Sequence, residues 1–170
     1  MTTAPLYGKY RATVVNNVDP LQIGRIQVMV PDVAGFVPST WAMPCVPVAG
    51  INTGVFTVPT IGSGVWVEFE RGDPDYPIWV GGYWGSAAEV PVLAHAVPPG
   101  VTGITLQTPL KNGLVISDVP GPTGGILIQT TTGAMISVSD VGIIISNGKG
   151  AVINMTGPTV DVNLGALTVI

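Results

Sequence analysis

The sequence predicts an all-β protein, and three observations predict it. No window carries the periodicity of an amphipathic helix. Short alternating apolar and polar runs recur along the chain, broken by Gly, Pro, Asn and Asp. In the C-terminal part those runs become an internal repeat of one short strand and one turn. The expected architecture is a small closed barrel (residues 1–86), a connector (87–100) and a repetitive strand region (101–170).

The barrel region holds every Trp, Tyr and Phe. YGKYRATVV alternates, with Tyr10, Ala12 and Val14 on one face and Lys9, Arg11 and Thr13 on the other. NNVDP follows as a turn, because Asn and Asp tolerate left-handed backbone and Pro20 stops the ladder. GRIQVMVP then puts Ile26, Val28 and Val30 together. STWAMPCVPVAG, the turn TIGSG, the strand VWVEFE, the turn RGDPDYP and IWVGGYWG complete the set. So many short strands suit a closed barrel, since closure removes exposed edges.

AAEVPVLAHAVPPG, rich in Ala and Pro, favours extended backbone and is expected to be a spacer outside either core. The region after it has no aromatic residue and few charges: Lys111, Asp118, Asp140, Lys149 and Asp161. Glycines introduce GITLQT, GLVISD, GILIQT, GAMISV, GIIISN and GAVINM, each with a period of two. Strands this short cannot enclose a core in one chain and need stacking neighbours. Three copies meeting along a shared axis as an intertwined β-helix is one solution. A single-chain solenoid is the other.

Composition excludes several classes. With 9% charged and 46% hydrophobic residues the chain is not disordered. Net charge −4 with only six basic residues disfavours nucleic acid as a partner. No apolar run approaches a membrane span of about 20 residues, and MTTAPLYGKYR does not resemble a secretory signal. One cysteine, Cys45, rules out an intrachain disulfide framework.

The ordered set YGKYRATVVNNVDPLQIGRIQVMVPDV, WAMPCVPVAG and PTIGSGVWVEFERGDPDYPIWVGGYW, followed by the glycine-punctuated repeat, resembles the baseplate spike proteins of contractile phage tails. That family includes phage baseplate assembly protein V and VgrG-type spikes. The resemblance implies an OB-fold barrel, a homotrimeric β-helical needle, a baseplate hub as docking partner and a PAAR-repeat protein as tip. It implies assembly in the bacterial cytoplasm and a place in a phage-tail-like particle. The barrel motif begins by Tyr7, so the hub is expected to be a separate polypeptide. Only the connector stands where some relatives insert a lysozyme domain. His95 is the one histidine, too far from the end for the His-x-His iron site some relatives carry at the tip.

Each candidate site has a plain structural reading. Glu68 and Glu70 could be a glycosidase pair, but alternation makes them the solvated side of VWVEFE, with Trp66, opposite Val65, Val67 and Phe69. Asp73 and Asp75 lack the spaced oxygen ligands of a calcium site; Gly72 and Pro74 favour a turn. Cys45, without a neighbouring base, is expected to be buried as a small apolar residue. His95 is expected at a subunit contact. No catalytic residue, metal ligand or cofactor is expected.

The leading expectation is a structural, non-enzymatic spike. Hub docking is placed at Tyr7, Lys9, Arg11, Asp73 and Asp75. At the far end, TVDVNLGALTVI is expected to bring Val162, Leu164, Leu167 and Val169 together in the trimer. Gly165, Ala166, Leu167, Thr168, Val169 and Ile170 then form a platform for the tip protein. The alternative is a carbohydrate- or cell-wall-binding OB module with a β-solenoid tail.

Overall fold

The computed structural model describes residues 5–169, with side chains to Leu167. The chain divides into two compact units, Met1–Glu89 and Val90–Ile170. No helix among the described residues is long and apolar enough to cross a membrane.

The N-terminal unit contains β1 (Tyr10–Asn16), β2 (Gln27–Met29), a single helical turn α1 (Pro31–Ala34), β3 (Met43–Pro44), the small hairpin β4 (Ala49–Gly50) and β5 (Thr53–Gly54), β6 (Gly64–Phe69) and β7 (Pro77–Tyr83). Five strands form one sheet in the order β2-β1-β6-β7-β3, antiparallel except for β3 on β7. An antiparallel bridge between Ile26 and Ala42 joins the two ends, with N–H···O distances of 3.2 and 2.7 Å. This is the strand order of a closed OB barrel. Closure needs strong local twist, and a register shift between Trp66 and Val67, which leaves Val80 of β7 as the extra residue between Trp79 and Gly81, supplies it.

The expected alternation is what fills the barrel. Ala12, Val14, Ile26, Val28, Val30, Val65 and Val67 are at most 3% exposed, and Phe69 and Trp79 are buried in the same cluster. The Trp79 indole N–H donates to the Gly24 carbonyl at 3.1 Å, so this large ring enters the core without an unpaired polar atom. Cys45 corrects the expectation of burial: it is exposed. Ala42 points into the core, and the period of two along β3 sends Met43 and Cys45 outward.

The C-terminal unit is an eight-stranded antiparallel meander in sequence order: β8 (Gly103–Gln107), β9 (Gly113–Ser117), β10 (Gly125–Gln129), β11 (Met135–Ser139), β12 (Gly142–Ser146), β13 (Val152–Thr156), β14 (Thr159–Val162) and β15 (Leu167–Val169). Hairpins connect all these neighbours, so one chain forms a ribbon and not the parallel coils of a solenoid. Turns on the same side of the ribbon also hold one another. Thr131 N–H donates to Asn112 Oδ1 at 3.1 Å and Gly121 N–H to Asp140 Oδ2 at 3.2 Å; Val152 N–H reaches Asn163 Oδ1 at 3.0 Å.

The connector is not a bare spacer. Its stretch Val92–Ala96 forms a 3₁₀ turn within the second unit. Leu93 lies over Gly113 and Val97 over Gly103, where glycine leaves room for them, and Leu93 N–H donates to Gln107 Oε1 at 2.9 Å. Val115 and Ser117, on the same side of the sheet, are consequently buried.

Candidate functional site

The register of the meander sorts its side chains into two unlike faces. On one face, cross-strand neighbours form two unbroken rows. The first is Ile104, Ile116, Ile126, Val138, Ile143, Met155 and Val160; the second is Leu106, Leu114, Ile128, Ile136, Ile145, Ile153, Val162 and Leu167. Every member is aliphatic or Met. The opposite face mixes Thr105, Val115, Leu127, Ser137, Ile144, Asn154 and Asp161 along its central row.

The connector covers the start of the mixed face, so the chain leaves its wholly apolar face open. Ile104 is 57% exposed, Ile128 49% and Ile136 42%. A contiguous patch of this kind is what a soluble chain hides in an assembly. Among the described residues of this unit, only Val115 is a buried hydrophobic residue.

At the end of the ribbon, β15 pairs with β14 on one side only among the described residues. Val162 faces Leu167 in the register of the single chain. Leu164 does not join them. It lies in the turn between β14 and β15, at φ +55° and 89% exposed, between Asn163 (φ +51°) and Gly165 (φ +99°). Three consecutive left-handed residues reverse the chain there and take Leu164 out of the alternation. Of the expected platform, Gly165 and Ala166 belong to this turn and Leu167, Thr168 and Val169 to β15, whereas Ile170 is outside the described residues.

On the barrel, the outward residues of β1, β6 and β7 form a mixed cluster. Lys9 pairs with Glu68, and the Arg11 guanidinium lies 5.5 Å from the Trp66 ring centre and 5.4 Å from that of Tyr83. Leu6 N–H donates to Gly72 O at 2.8 Å, which sets the segment carrying exposed Tyr7 beside the β6–β7 turn. That turn holds Asp73 and Asp75, with Asp73 Oδ1 accepting Asp75 N–H at 3.0 Å. It is thus a self-bonded Asx turn. Tyr7 and the two aspartates gather at this end of the barrel; Arg11 stands further along β1, over Trp66. Glu68 is committed to Lys9, and Glu70 begins the 3₁₀ turn, so the two carboxylates do not form one site.

A second polar arrangement was not expected from the sequence. Asp19, 9% exposed, accepts from Arg25 Nε at 3.0 Å and Nη2 at 2.7 Å, and from the N–H groups of Leu21, Ile23 and Arg25. Arg25 above all, with those backbone donors, holds the Asp19 carboxyl well below the ordinary carboxylate range. The Arg25 guanidinium also lies 5.3 Å from the Trp41 ring centre. Asp19 is every donor's common acceptor, so the arrangement pins the β1–β2 loop. The signal was Asp before Pro in a turn with a basic residue six positions on.

A barrel with its own core, joined to a sheet whose apolar face stays uncovered in the single chain, defines a β protein with a face open to assembly. The comparisons give that class its family. Residues 10–84 match the type VI secretion system/phage-baseplate injector OB domain, and residues 103–168 match the phage baseplate V C-terminal trimerisation domain. The chain carries both domains and belongs with the baseplate spike-type proteins. No curated protein matches it.

Proposed function

We propose that this chain is the structural central spike of a contractile, phage-tail-like injection apparatus. The observation that carries the reading is the unbroken apolar face of the C-terminal sheet. In this reading three sheets turn those faces inward and form a β-helical needle whose mixed faces meet solvent. The trimerisation-domain match supports the same arrangement. The backbone hydrogen bonds of the meander run between successive strands, along the ribbon. A load along the needle is therefore borne by every strand pair and by the turn-to-turn bonds. The work of the protein is mechanical, piercing the target envelope as the sheath contracts, with no reaction of its own.

The barrel is the docking end. Tyr7, Lys9, Arg11, Asp73 and Asp75 contact the hub, with Trp66 and Tyr83 adding aromatic area of the kind that dominates interfaces. At the other end Gly165–Ile170 receive a conical PAAR-repeat tip protein, and the open side of β15 supplies unpaired backbone groups to it.

Light scattering on the purified full chain tests the reading first. A trimer is expected, and a well-folded monomer would overturn it. Deleting residues 165–170 is expected to leave the trimer intact and abolish binding of the tip protein. Unchanged binding would remove the platform from the proposal.

A further inference from the structure

Apart from its charged cluster, the barrel carries an uncharged surface that the spike reading leaves unused. The β4–β5 hairpin stands away from the barrel with Ile51 at its tip, 95% exposed beside Asn52 at φ +54°. At its foot opens a groove of about 540 Å³ whose walls include Ile23, Met43, Pro44, Val48 and Phe56. No charged side chain lines it. Ile23, Met43, Val48 and Phe56 are 45%, 47%, 56% and 68% exposed. One surface thus offers both an apolar knob and an apolar hole. Neither satisfies the other within the chain, since Ile51 is not among the groove's lining residues.

We infer that the knob of one copy fills the hole of the next. The occupant of the groove is the Ile51 hairpin tip of a second copy of this chain, repeated round a ring of three barrels. A knob and a hole on one subunit make a heterologous contact, which closes when the rotation is a third of a turn. The C-terminal trimerisation domain imposes that rotation. Between the end of β7 at Tyr83 and the start of the second unit at Val90 the chain spans at most ~25 Å, at ~3.5 Å per residue. Three barrels held that close to one trimer meet at millimolar effective concentration. A modest apolar contact is enough under those conditions. The pairing separates the two sides of the barrel: the uncharged side faces sister barrels, and the side of Lys9, Arg11 and Trp66 stays free for the hub.

The inference rests on the trimeric reading, and the experiment separates the two. In the full chain carrying Cys45→Ser, cysteines are introduced by Ile51→Cys and Met43→Cys, together and singly, and the proteins are mildly oxidised. The double variant is expected to run as a covalent trimer on a denaturing gel, and either single variant as a monomer. A double variant that is trimeric by light scattering yet gives only monomer bands overturns the inference and leaves the trimer standing. A monomer by light scattering overturns both. Maleimide labelling of Ile51→Cys provides the second measurement: protection in the free trimer is expected. Free labelling there, with protection only in the assembled particle, makes the hub the occupant and refutes the ring.

Discussion

Ile136 lies near the centre of the open apolar face, paired with Ile128 and Ile145, and its loss should be felt three times in a trimer. Complete burial of an Ile side chain is worth ~1.5–3 kcal/mol. In the single chain 42% of Ile136 remains exposed, so assembly recovers the corresponding share, ~1 kcal/mol per chain. Ile136→Ala forfeits about that in each copy, ~3 kcal/mol for the trimer, which weakens assembly roughly 150-fold. Any void left behind adds to the loss. Ile136→Asp is harsher, because three unpaired carboxylates would be taken out of water at several kcal/mol each, ~10 kcal/mol or more in all. The control is next door. Ser137 projects from the mixed face, in the row that already contains Asp161, so Ser137→Asp should leave the trimer intact. Sedimentation equilibrium over a range of concentrations reads all three variants. A trimer that tolerates Ile136→Asp, or that fails with Ser137→Asp alone, would refute the assignment of the inner face.

Three further outcomes follow from particular residues. The Asp19 carboxyl titrates below its ordinary value of 3.8 in the folded barrel, so the unfolded chain binds the proton first as pH falls. Its contribution is complete above about pH 4 and is lost as pH drops toward the folded value; Asp19→Asn should lower the barrel's melting temperature at pH 6 and flatten its fall between pH 4 and 2, followed by Trp fluorescence. Gly148 sits at φ +70°, and a Cβ there would lie 2.6 Å from Gly133 C and 2.7 Å from Ala134 N. Gly148→Ala should therefore cost at least ~1–2 kcal/mol per chain from the left-handed backbone alone, visible as a lower denaturation midpoint of the sheet. Arg11→Glu should leave the trimer and the barrel fold unchanged while weakening hub binding at least tenfold by surface plasmon resonance, the loss of one charged interface anchor; unaltered affinity removes Arg11 from the docking surface.

Local patterning made most of the barrel legible. Ile26, Val28 and Val30, or Val65, Val67 and Phe69, needed only a period of two to be assigned to the core, and the core is where they lie. The same rule showed the repeat to be stranded and short of partners. What escaped depended on contacts or backbone states that local pattern does not carry. Leu164 looks like one more aliphatic strand residue, yet it adopts a left-handed conformation that Leu seldom takes, and nothing in NLGAL marks it beyond Asn163 and Gly165. Leu93 fits the sheet because Gly113, far along the chain, has no side chain. The Asp19–Arg25 pair is local, six residues apart, but strand alternation does not mark a turn carboxylate as buried. Ile51 and Phe56 fell inside a stretch of Pro, Gly and Val whose alternation is too short to distinguish a hairpin from a loop.

The unequal cores of the two units imply unequal folding behaviour. Among the described residues the barrel buries ten hydrophobic side chains in a single cluster, enough for a small domain to fold within one chain. The inner strands of the sheet are paired on both sides, but one face is unburied, so its side-chain burial becomes available only when copies meet. Folding of the sheet should then be linked to association, and its apparent stability should rise with chain concentration. All four tryptophans, Trp41, Trp66, Trp79 and Trp84, belong to the barrel unit, so their fluorescence follows the barrel alone, whereas far-ultraviolet circular dichroism also sees the sheet. In a denaturant series at two concentrations a hundredfold apart, the circular-dichroism transition assigned to the sheet should move with concentration. If the barrels also pack on one another, the fluorescence transition should move as well, and Ile51→Lys should fix it in place without freeing the sheet. Coincident, concentration-independent transitions would show that one chain stabilises the sheet unaided, contrary to an apolar face that only other copies can cover.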